Sequence, residues 1–222
     1  MIHNQDFEAY ANFKRFNTKV ADTWDAALCN AIRLCGQSPQ TLRILDYGCG
    51  DGKYFQHFVA NRGLSPENVH GVEVSNCRVQ RCQEMGRTNS ILINGKDPLP
   101  YKDASFDIIN MMEVIEHIPA EQGARTVGDL RRILRPGGIF LISTPNYPIK
   151  RFYGLSDAIL HHKWDRLRDD PAHVTYYNDN KLRALLVELF RSIESLPFKT
   201  GFLYRRFPHP LLLHKLFFLC QA

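Results

Sequence analysis

Short apolar runs alternate along the chain with stretches in which apolar residues recur every three or four positions. An apolar run of this length is typical of a buried strand, and the spacing of three and four is typical of a helix with one buried face. Five such runs, at residues 42–45, 69–74, 90–94, 107–112 and 139–143, predict five strands. Strands that alternate with helices favour a right-handed, doubly wound parallel α/β sheet.

Helical spacing also covers the N-terminal part of the chain. Apolar residues between positions 6 and 35 form one face of a helix or of two, and Gly36 ends it. Three aromatic residues of this face, Tyr10, Phe13 and Phe16, are candidates for contact with a ligand. Core packing is the expected role, because large apolar residues on such a face are usually buried.

Two more helices are predicted downstream. One spans about residues 121–134 and ends at residues 135–138, where proline and glycines cannot easily continue a helix. The other carries four leucines between positions 182 and 189. Asn178 or Asp179 is its expected N-cap.

The C-terminal segments predict the last strands and a tail. The strands are expected at residues 192–196 and 201–204. The tail at residues 210–219 is apolar but only about half as long as a membrane span. We expect it to form a helix packed on the sheet. The weaker alternative is a surface that touches lipid or a lipid-linked acceptor, helped by Arg205 and Arg206.

The length of 222 residues fits one α/β domain with a modest insertion. We expect an N-terminal helical cap, a core, a substrate lid and a C-terminal part with helix, strands and tail, which span residues 1–39, 40–146, 147–175 and 176–222. The lid stretch is too long for a bare connection. Its mixed aromatic and basic residues can stack on a ring and pair with an anion, or can serve the loop's own packing.

Composition is that of an ordinary globular protein. Hydrophobic residues make up 44% and charged residues 23% of the chain, which argues against disorder. No apolar run approaches about 18 residues, and the chain does not start with a signal segment, so we expect a cytoplasmic protein without a transmembrane helix. The six cysteines have no C-x-x-C spacing. Free thiols are therefore expected rather than disulfides or zinc ligands.

The net charge of +5 lies in the last third of the chain. Residues 1–146 contain 16 Lys and Arg against 16 Asp and Glu, so that of the 28 and 23 in the whole chain, 12 and 7 fall in residues 147–222. This excess can attract a phosphate-bearing, anionic or membrane-linked substrate. A basic, solvated surface explains it equally well.

A glycine-rich turn follows the first predicted strand. Asp46, Gly48, Gly50 and Gly52 form the pattern D-x-G-x-G-x-G, and a helix is expected from Lys53 onward. Glycines allow positive φ and a close approach of the backbone to a ligand, and the N–H groups at the start of a helix favour polar ligands. The spacing fits neither the dinucleotide fingerprint nor the P-loop. The stretch therefore predicts a nucleotide site of another kind at the carboxyl edge of the sheet.

The second strand ends in an acidic residue that suits such a site. Glu73 lies about twenty residues after the last glycine of the turn. A carboxylate at this point can accept two hydrogen bonds from the diol of a ribose. Glu73 is therefore the predicted ribose ligand.

The glycine-rich turn resembles motif I of the class I S-adenosylmethionine-dependent methyltransferases. The resemblance implies that Asp46 helps to hold the amino acid part of the cofactor. It also implies that Gly48, Cys49, Gly50 and Gly52 wrap the methionine part and the adenosine. The fold it implies is Rossmann-like, a doubly wound, mostly parallel seven-stranded sheet with an antiparallel edge and a lid insertion after the fifth strand.

Two further stretches match this family in its own order. Residues 99–109 resemble the family's LPF-x-D-x-SFD stretch, and residues 130–143 resemble its LRRxLRPGGxFLIS stretch, whose role is structural. A polar residue just before the first stretch usually meets the adenine ring, and Asn94 and Asp97 are both candidates. Met112 lies at the carboxyl end of the fourth strand, which is expected to face the same nucleotide site as the glycine-rich turn.

A group of ionisable residues follows the fourth strand. If residues 113–118 form a helical turn, the side chains of Glu113, Glu116 and His117 share one face. The E-x-x-E-H pattern resembles the ubiquinone-pathway O-methyltransferases and the small-RNA 2′-O-methyltransferases. The resemblance implies a divalent cation held by these three side chains together with a downstream histidine, for which His173 is the candidate.

These motifs together predict an S-adenosylmethionine-dependent methyltransferase. The reaction needs proximity and exclusion of water. A hydroxyl acceptor must also lose its proton, and His117 is the candidate base because imidazole titrates near neutrality. Alternatively, a cation on Glu113 and Glu116 can lower the pKa of the acceptor. Magnesium, manganese and zinc all suit oxygen and imidazole ligands.

Three functions remain open for this chain. The compact size, the lid and the apolar tail favour the hydroxyl of a small-molecule, glycan or lipid-linked acceptor. The metal-like group and the positive C-terminal third support an RNA 2′-hydroxyl, although no separate RNA-binding module is present in the sequence. The third alternative is a cofactor-binding protein without catalysis.

Overall fold

Seven strands form one sheet among the described residues. The computed structural model describes residues 8, 9, 11, 19–147, 149–162, 164, 170–197, 202–209 and 212–222. The strands are β1 (Ile44–Tyr47), β2 (Val69–Glu73), β3 (Ser90–Leu92), β4 (Phe106–Met112), β5 (Leu134–Pro145), β6 (Ser192–Ser195) and β7 (Lys215–Gln221).

The strand order creates a crevice at the carboxyl edge of the sheet. The strands lie in the order β3-β2-β1-β4-β5-β7-β6. Strands β1 to β5 are parallel, and β7 is antiparallel to both of its neighbours. The order reverses between β1 and β4, and ligands of open α/β sheets bind outside such a reversal point. The predicted doubly wound, mostly parallel seven-stranded sheet is confirmed.

Helices and hydrophobic clusters cover both faces of the sheet. The helices are α1 (Asp22–Cys35), α2 (Asn76–Glu84), α3 (Ala120–Ile133), α4 (Ile149–His161), α5 (Asp179–Val187) and α6 (Phe202–Arg206), with a π-helical segment at His57–Asn61 and 3-10 turns at Pro66–Asn68 and Ile115–His117. Ile108 packs with Trp24 in one cluster, and Ile109 packs with Val127 in the other. Alternate residues of β4 thus serve opposite faces, as the pleat requires.

Most of the predicted elements of the core are confirmed. The first five strands and the helix expected at residues 121–134 lie where the pattern placed them. Gly36 ends α1 in the left-handed region with φ 65°. Asn178 caps α5, because its side chain accepts a hydrogen bond from the backbone N–H of Lys181.

Some predicted boundaries were wrong. The expected helix start at Lys53 is a turn, and helical structure begins at Phe55. The third strand ends at Leu92 rather than at Asn94. Strand β5 starts at Leu134 and runs through the proline and glycines that were expected to lie outside it, because Leu134 pairs with Phe106 of β4.

The strand expected at residues 192–196 is present as β6, whereas the rest of the C-terminal prediction was wrong. Residues 202–204, which were expected to lie in a last strand, belong to α6. The tail was expected to be a helix packed on the sheet, but from Lys215 onward it belongs to the buried strand β7. Leu216, Phe217 and Phe218 have no exposed area. These side chains therefore cannot form a lipid-contacting surface.

The remaining predictions concern the N-terminal aromatic residues, the lid stretch and a membrane-spanning helix. Tyr10, Phe13 and Phe16 lie outside the described residues. In the stretch predicted to be a lid, α4 begins at Ile149, shortly after β5 ends at Pro145, and residues 148, 163 and 165–169 lie outside the described residues. Within the described ranges, no helix combines the length and the apolar character that a membrane crossing needs.

Candidate functional site

The glycine turn after β1 adopts the conformation that its sequence predicts. Gly48, Gly50 and Gly52 have φ values of 72°, 56° and 70°. The backbone N–H groups of Gly48 and Cys49 both donate to Val72 O, at 2.8 and 3.1 Å, which ties the turn to β2. A Cβ on Gly48 would lie 2.5 Å from a methyl group of Val114. Glycine is thus required here both by φ and by the packing of the next loop.

Glu73 closes the turn from the end of β2. Its Oε2 atom accepts a hydrogen bond from Gly50 N at 2.9 Å, and its Oε1 atom accepts from Val74 N at 2.8 Å and from Ser75 N at 3.2 Å. The residue is only 6% exposed. A carboxylate oxygen offers two lone pairs, so Oε2 can accept one more hydrogen bond, such as one from a ribose hydroxyl.

Asp46 carries a buried oxygen that the described residues leave unsatisfied. Its Oδ1 atom accepts from Asn110 Nδ2 at 2.7 Å, whereas its Oδ2 atom is buried and has no partner among the described residues. Burial raises the pKa of this carboxyl to about 7, and the hydrogen bond from Asn110 opposes the rise. A buried acceptor without a donor is costly, so this oxygen suits a ligand that brings a positively charged donor.

Cys49 and Met112 are both buried, Cys49 within the turn and Met112 at the end of β4. The Cys49 side chain is buried against β2, since a Cβ on Gly71 would lie 2.8 Å from its Sγ atom. Its contribution to a ligand site is therefore through the backbone. Met112 is 8% exposed and ends β4, the neighbour of β1.

Asn94 and Asp97 form a loop of their own after β3. Asn94 Oδ1 accepts from Lys96 N and Asp97 N, each at 2.9 Å, and Asn94 Nδ2 donates to Asp97 Oδ2 at 2.6 Å. Asp97 lines a cavity of about 400 Å³ with Tyr47 and Gln122, whereas Asn94 is absent from its lining. The two adenine candidates thus differ, and Asn94 serves mainly to shape the loop.

The ionisable group after β4 meets a loop from much later in the chain. Backbone N–H groups of Val174 and Thr175 donate to Glu116 O at 2.9 and 3.0 Å, which brings His173 to the 3-10 turn. One ligand atom from each of Glu116, His117 and His173 lies within 4.8 Å of the other two. Three of the four predicted metal ligands are therefore together.

Hydrogen bonds orient both imidazole rings. Ala172 O lies 3.0 Å from His117 Nδ1, so this nitrogen carries the proton and the lone pair lies on Nε2. Tyr147 Oη lies 2.9 Å from His173 Nδ1 and accepts from Lys150 Nζ at 2.8 Å. Burial, helped by His117 and Lys150, lowers the pKa of His173 to about 4, so the ring is neutral at physiological pH.

The two glutamates of this group have different surroundings. Glu116 is 1% exposed and accepts from Thr144 Oγ1 at 3.0 Å. Burial and the charge of Glu113 raise the pKa of Glu116 to about 8. Glu113 has φ 58°, accepts from Ser143 Oγ at 2.7 Å and forms an ion pair with Lys215 of β7. The structure therefore directs Glu113 towards β5 and β7, and not into the group of three.

Sequence reasoning missed several residues that support these groups. Asn110 and Lys215 contact predicted site residues without belonging to any motif, and Trp24 donates a hydrogen bond to Asn110. Asn110 had a visible signal, since it is the one amide within the apolar run of β4. Lys215 had none, because its partner Glu113 is 102 residues away in sequence.

Comparison with known proteins agrees with this arrangement. A family model described as a methyltransferase domain matches residues 20–189. The chain is 32% identical over 130 residues to the O-methyltransferase rstn1 of Aspergillus nomiae, covering 55% of this chain and 56% of that protein. It is 29% identical over 153 residues to the ubiquinone biosynthesis O-methyltransferase of Coxiella burnetii, covering 62% of this chain and 63% of that protein.

A solved structure shows the same fold. It is a SAM-dependent methyltransferase from Archaeoglobus fulgidus, with a TM-score of 0.63 and 17% identity. The match covers 88% of this chain and 94% of that one. By contrast, the chain spans less than two thirds of the length of both curated relatives.

Proposed function

We propose that this chain, which belongs to the class I S-adenosylmethionine-dependent methyltransferase superfamily, methylates a hydroxyl oxygen. The proposed acceptor is a small molecule, a glycan or a lipid-linked compound. The observation that carries this proposal is the group of Glu116, His117 and His173 at the carboxyl edge of the sheet. An imidazole in such a group can act as the base that removes a hydroxyl proton. A cation held by all three side chains can instead lower the pKa of that hydroxyl. The similarity to an O-methyltransferase of Aspergillus nomiae supports the same acceptor atom.

The residues around the glycine turn fit the cofactor. The unsatisfied Oδ2 atom of Asp46 suits the α-ammonium group, and Glu73 Oε2 suits a ribose hydroxyl. The turn lets the backbone approach the ligand without side chains in the way. When bound, S-adenosylmethionine supplies a methyl group activated by its sulfonium centre.

His117 is the proposed general base. Its lone pair lies on Nε2, because Nδ1 donates to Ala172 O. In the proposed step the acceptor hydroxyl would give its proton to Nε2 while its oxygen lone pair forms the new bond to the methyl carbon, the carbon–sulfur bond breaks and S-adenosylhomocysteine leaves. The imidazolium that results is stabilised by the Ala172 carbonyl, which accepts the hydrogen bond from Nδ1.

A divalent cation fits the same three side chains. One carboxylate oxygen and two imidazole nitrogens suit zinc, manganese or magnesium. The ligand atoms of Glu116, His117 and His173 lie within 4.8 Å of one another, so these three side chains would be the ones to hold such an ion. A bound cation would lower the pKa of a coordinated hydroxyl and so assist His117.

Aromatic and basic side chains lie beside the group of Glu116, His117 and His173 and would form walls of the proposed acceptor pocket. The Arg151 guanidinium lies 5.7 Å from the Tyr147 ring centre and 5.3 Å from that of Tyr176. Tyr147 in turn contacts His173, which joins these rings to the proposed base. Such walls support an acceptor that carries a ring or an anionic group. An RNA 2′-hydroxyl would use the same features and is the second candidate.

The proposal is tested with cell extract, isotopically labelled methyl donor and mass spectrometry of the products. His117→Ala should lower the rate at least about a hundredfold, because a general base contributes that much, while S-adenosylhomocysteine still binds. The matched control is His209→Ala, which alters an exposed histidine and should leave the rate unchanged. Full activity of His117→Ala would overturn the assigned base.

Two additions to the assay separate the remaining alternatives. The cation would be supported if chelator abolishes the activity, if one divalent metal restores it, and if the metal does not restore activity in Glu116→Gln. Full turnover in chelator would leave His117 acting alone. Loss of product after ribonuclease treatment, with a steep dependence on salt, would favour RNA over the small acceptor. Binding of the cofactor without any labelled product would favour a non-catalytic protein.

A further inference from the structure

A chain of buried hydrogen bonds links the N-terminal helix to the cofactor side of the site. Trp24 Nε1 on α1 donates to Asn110 Oδ1 at 2.8 Å, and Asn110 Nδ2 donates to Asp46 Oδ1 at 2.7 Å. Trp24 and Asn110 have no exposed area, and Asp46 is 4% exposed. None of the sequence motifs includes Trp24 or Asn110. An amide in the middle of a buried strand costs free energy unless it is hydrogen-bonded.

The direction of these hydrogen bonds is fixed by chemistry. An indole N–H can only donate, so the atom of Asn110 that faces Trp24 must be the carbonyl oxygen. The amide nitrogen of Asn110 then faces Asp46 and donates to it. The reverse orientation would place two donors against each other at Trp24 and two acceptors against each other at Asp46.

This direction decides which oxygen of Asp46 is available. Oδ1 is engaged by Asn110, which holds the plane of the carboxylate. Oδ2 is the oxygen that finds no hydrogen bond within the described part of the chain, although it is buried. Without Asn110 the carboxylate could rotate and present either oxygen, or neither, to the crevice.

The position of the indole is itself held by packing. The Trp24 ring centre lies 4.3 Å from that of Tyr54 and 5.6 Å from that of Phe58. Tyr54 follows the glycine turn, and Phe58 belongs to the π-helical segment after it. The cluster therefore fixes the N–H group relative to the glycine turn.

We propose that Trp24 and Asn110 are positioning residues that aim Oδ2 of Asp46 at the α-ammonium group of the cofactor. The inference rests on the proposed cofactor and adds to it that α1 takes part in recognising its amino acid end. Trp24 acts through Asn110, and Asn110 acts through Asp46. The alternative is that Trp24 and Asn110 only stabilise the fold.

Two ligands distinguish these roles. S-adenosylhomocysteine carries the α-ammonium group, whereas 5′-methylthioadenosine keeps the adenosine and the thioether and lacks the amino acid part. Trp24→Phe keeps an aromatic ring but removes the donor, and Asn110→Ala removes the link itself. Both variants should weaken S-adenosylhomocysteine binding about tenfold, which is the usual effect of one hydrogen bond to a charged group. Both should change 5′-methylthioadenosine binding less than about twofold.

The matched control perturbs the same cluster without touching the hydrogen bonds. Phe58→Leu loosens the packing around Trp24 and keeps the indole N–H, so the ratio of the two affinities should stay at the wild-type value. Calorimetry gives S-adenosylhomocysteine directly and 5′-methylthioadenosine by competition, and thermal unfolding reports stability separately.

The possible results have distinct meanings. An unchanged ratio in Trp24→Phe and Asn110→Ala, whether both affinities hold or fall together, would overturn the positioning role and leave the cofactor assignment intact. Failure of the wild-type protein to bind S-adenosylhomocysteine would overturn the cofactor assignment and this inference with it.

Discussion

Asp46 shows how a single buried group can tie a fold to a ligand. Its carboxyl has a pKa near 7 because burial penalises the charge, and only one of its oxygens has a hydrogen bond from the described residues. In the empty protein the free energy of unfolding should therefore fall through this group as pH rises from about 4 to about 7. A cationic ligand reverses the balance, because it pairs with the ionised form.

Cofactor affinity should follow the ionisation of Asp46. Below about pH 7 the carboxyl is protonated, so the dissociation constant of S-adenosylhomocysteine should rise about tenfold for each further pH unit of acidification. Asp46→Asn should bind weakly with no such slope. Calorimetry between about pH 5.5 and 8 measures both. An identical slope in the variant would show that another group controls the dependence.

Residues with a local conformational role were predictable from the sequence. The positive φ of Gly48, Gly50 and Gly52 follows from their spacing, and the place of Glu73 follows from its distance to them. The surroundings of Glu113 were not predictable, because its ion pair with Lys215 depends on a strand more than a hundred residues later. Spacing on a supposed helical turn placed all three ionisable residues together, and the actual 3-10 turn separates Glu113 from the others.

At the scale of elements, the last strand shows the limit of reading apolar runs. A strand buried on both faces has no alternation, so periodicity cannot distinguish it from a short buried helix. Strand β7 lies between β5 and β6, and its pairing residues come from distant parts of the chain. The sequence therefore indicated an apolar tail at residues 210–219 packed on the sheet, but not that residues 215–221 form a strand inside that sheet.

A cavity in β7 should destabilise the protein strongly. Phe217 has no exposed area, so Phe217→Ala should lower the free energy of unfolding by about 3 to 5 kcal/mol. Phe207→Ala makes the same chemical change at a position that is 58% exposed and should alter stability by less than about 0.5 kcal/mol. Urea denaturation compares the two. Equal small effects would mean that the tail lies on the surface, which corresponds to the weaker alternative from the sequence.

At the scale of the whole molecule, the order of the strands brings the proposed cofactor site and the proposed catalytic group to the same edge of the sheet. The glycine turn follows β1, and the group that starts at Glu113 follows its parallel neighbour β4. The strand pattern predicted this meeting, since parallel strands share a carboxyl edge. The arrival of His173 depends instead on hydrogen bonds from Val174 and Thr175 to Glu116. Only the family resemblance anticipated it, because nothing local in the sequence encodes that contact.

The binding of S-adenosylhomocysteine to the wild-type protein and to Glu73→Ala tests the central claim most directly. The account predicts saturable one-to-one binding to the wild type, with affinity at least about tenfold weaker in the variant, which lacks the carboxylate that closes the glycine turn. It also predicts that a pyrophosphate dinucleotide does not compete. The account would be contradicted if the wild type does not bind S-adenosylhomocysteine, if the variant binds it with equal affinity, or if the dinucleotide displaces it.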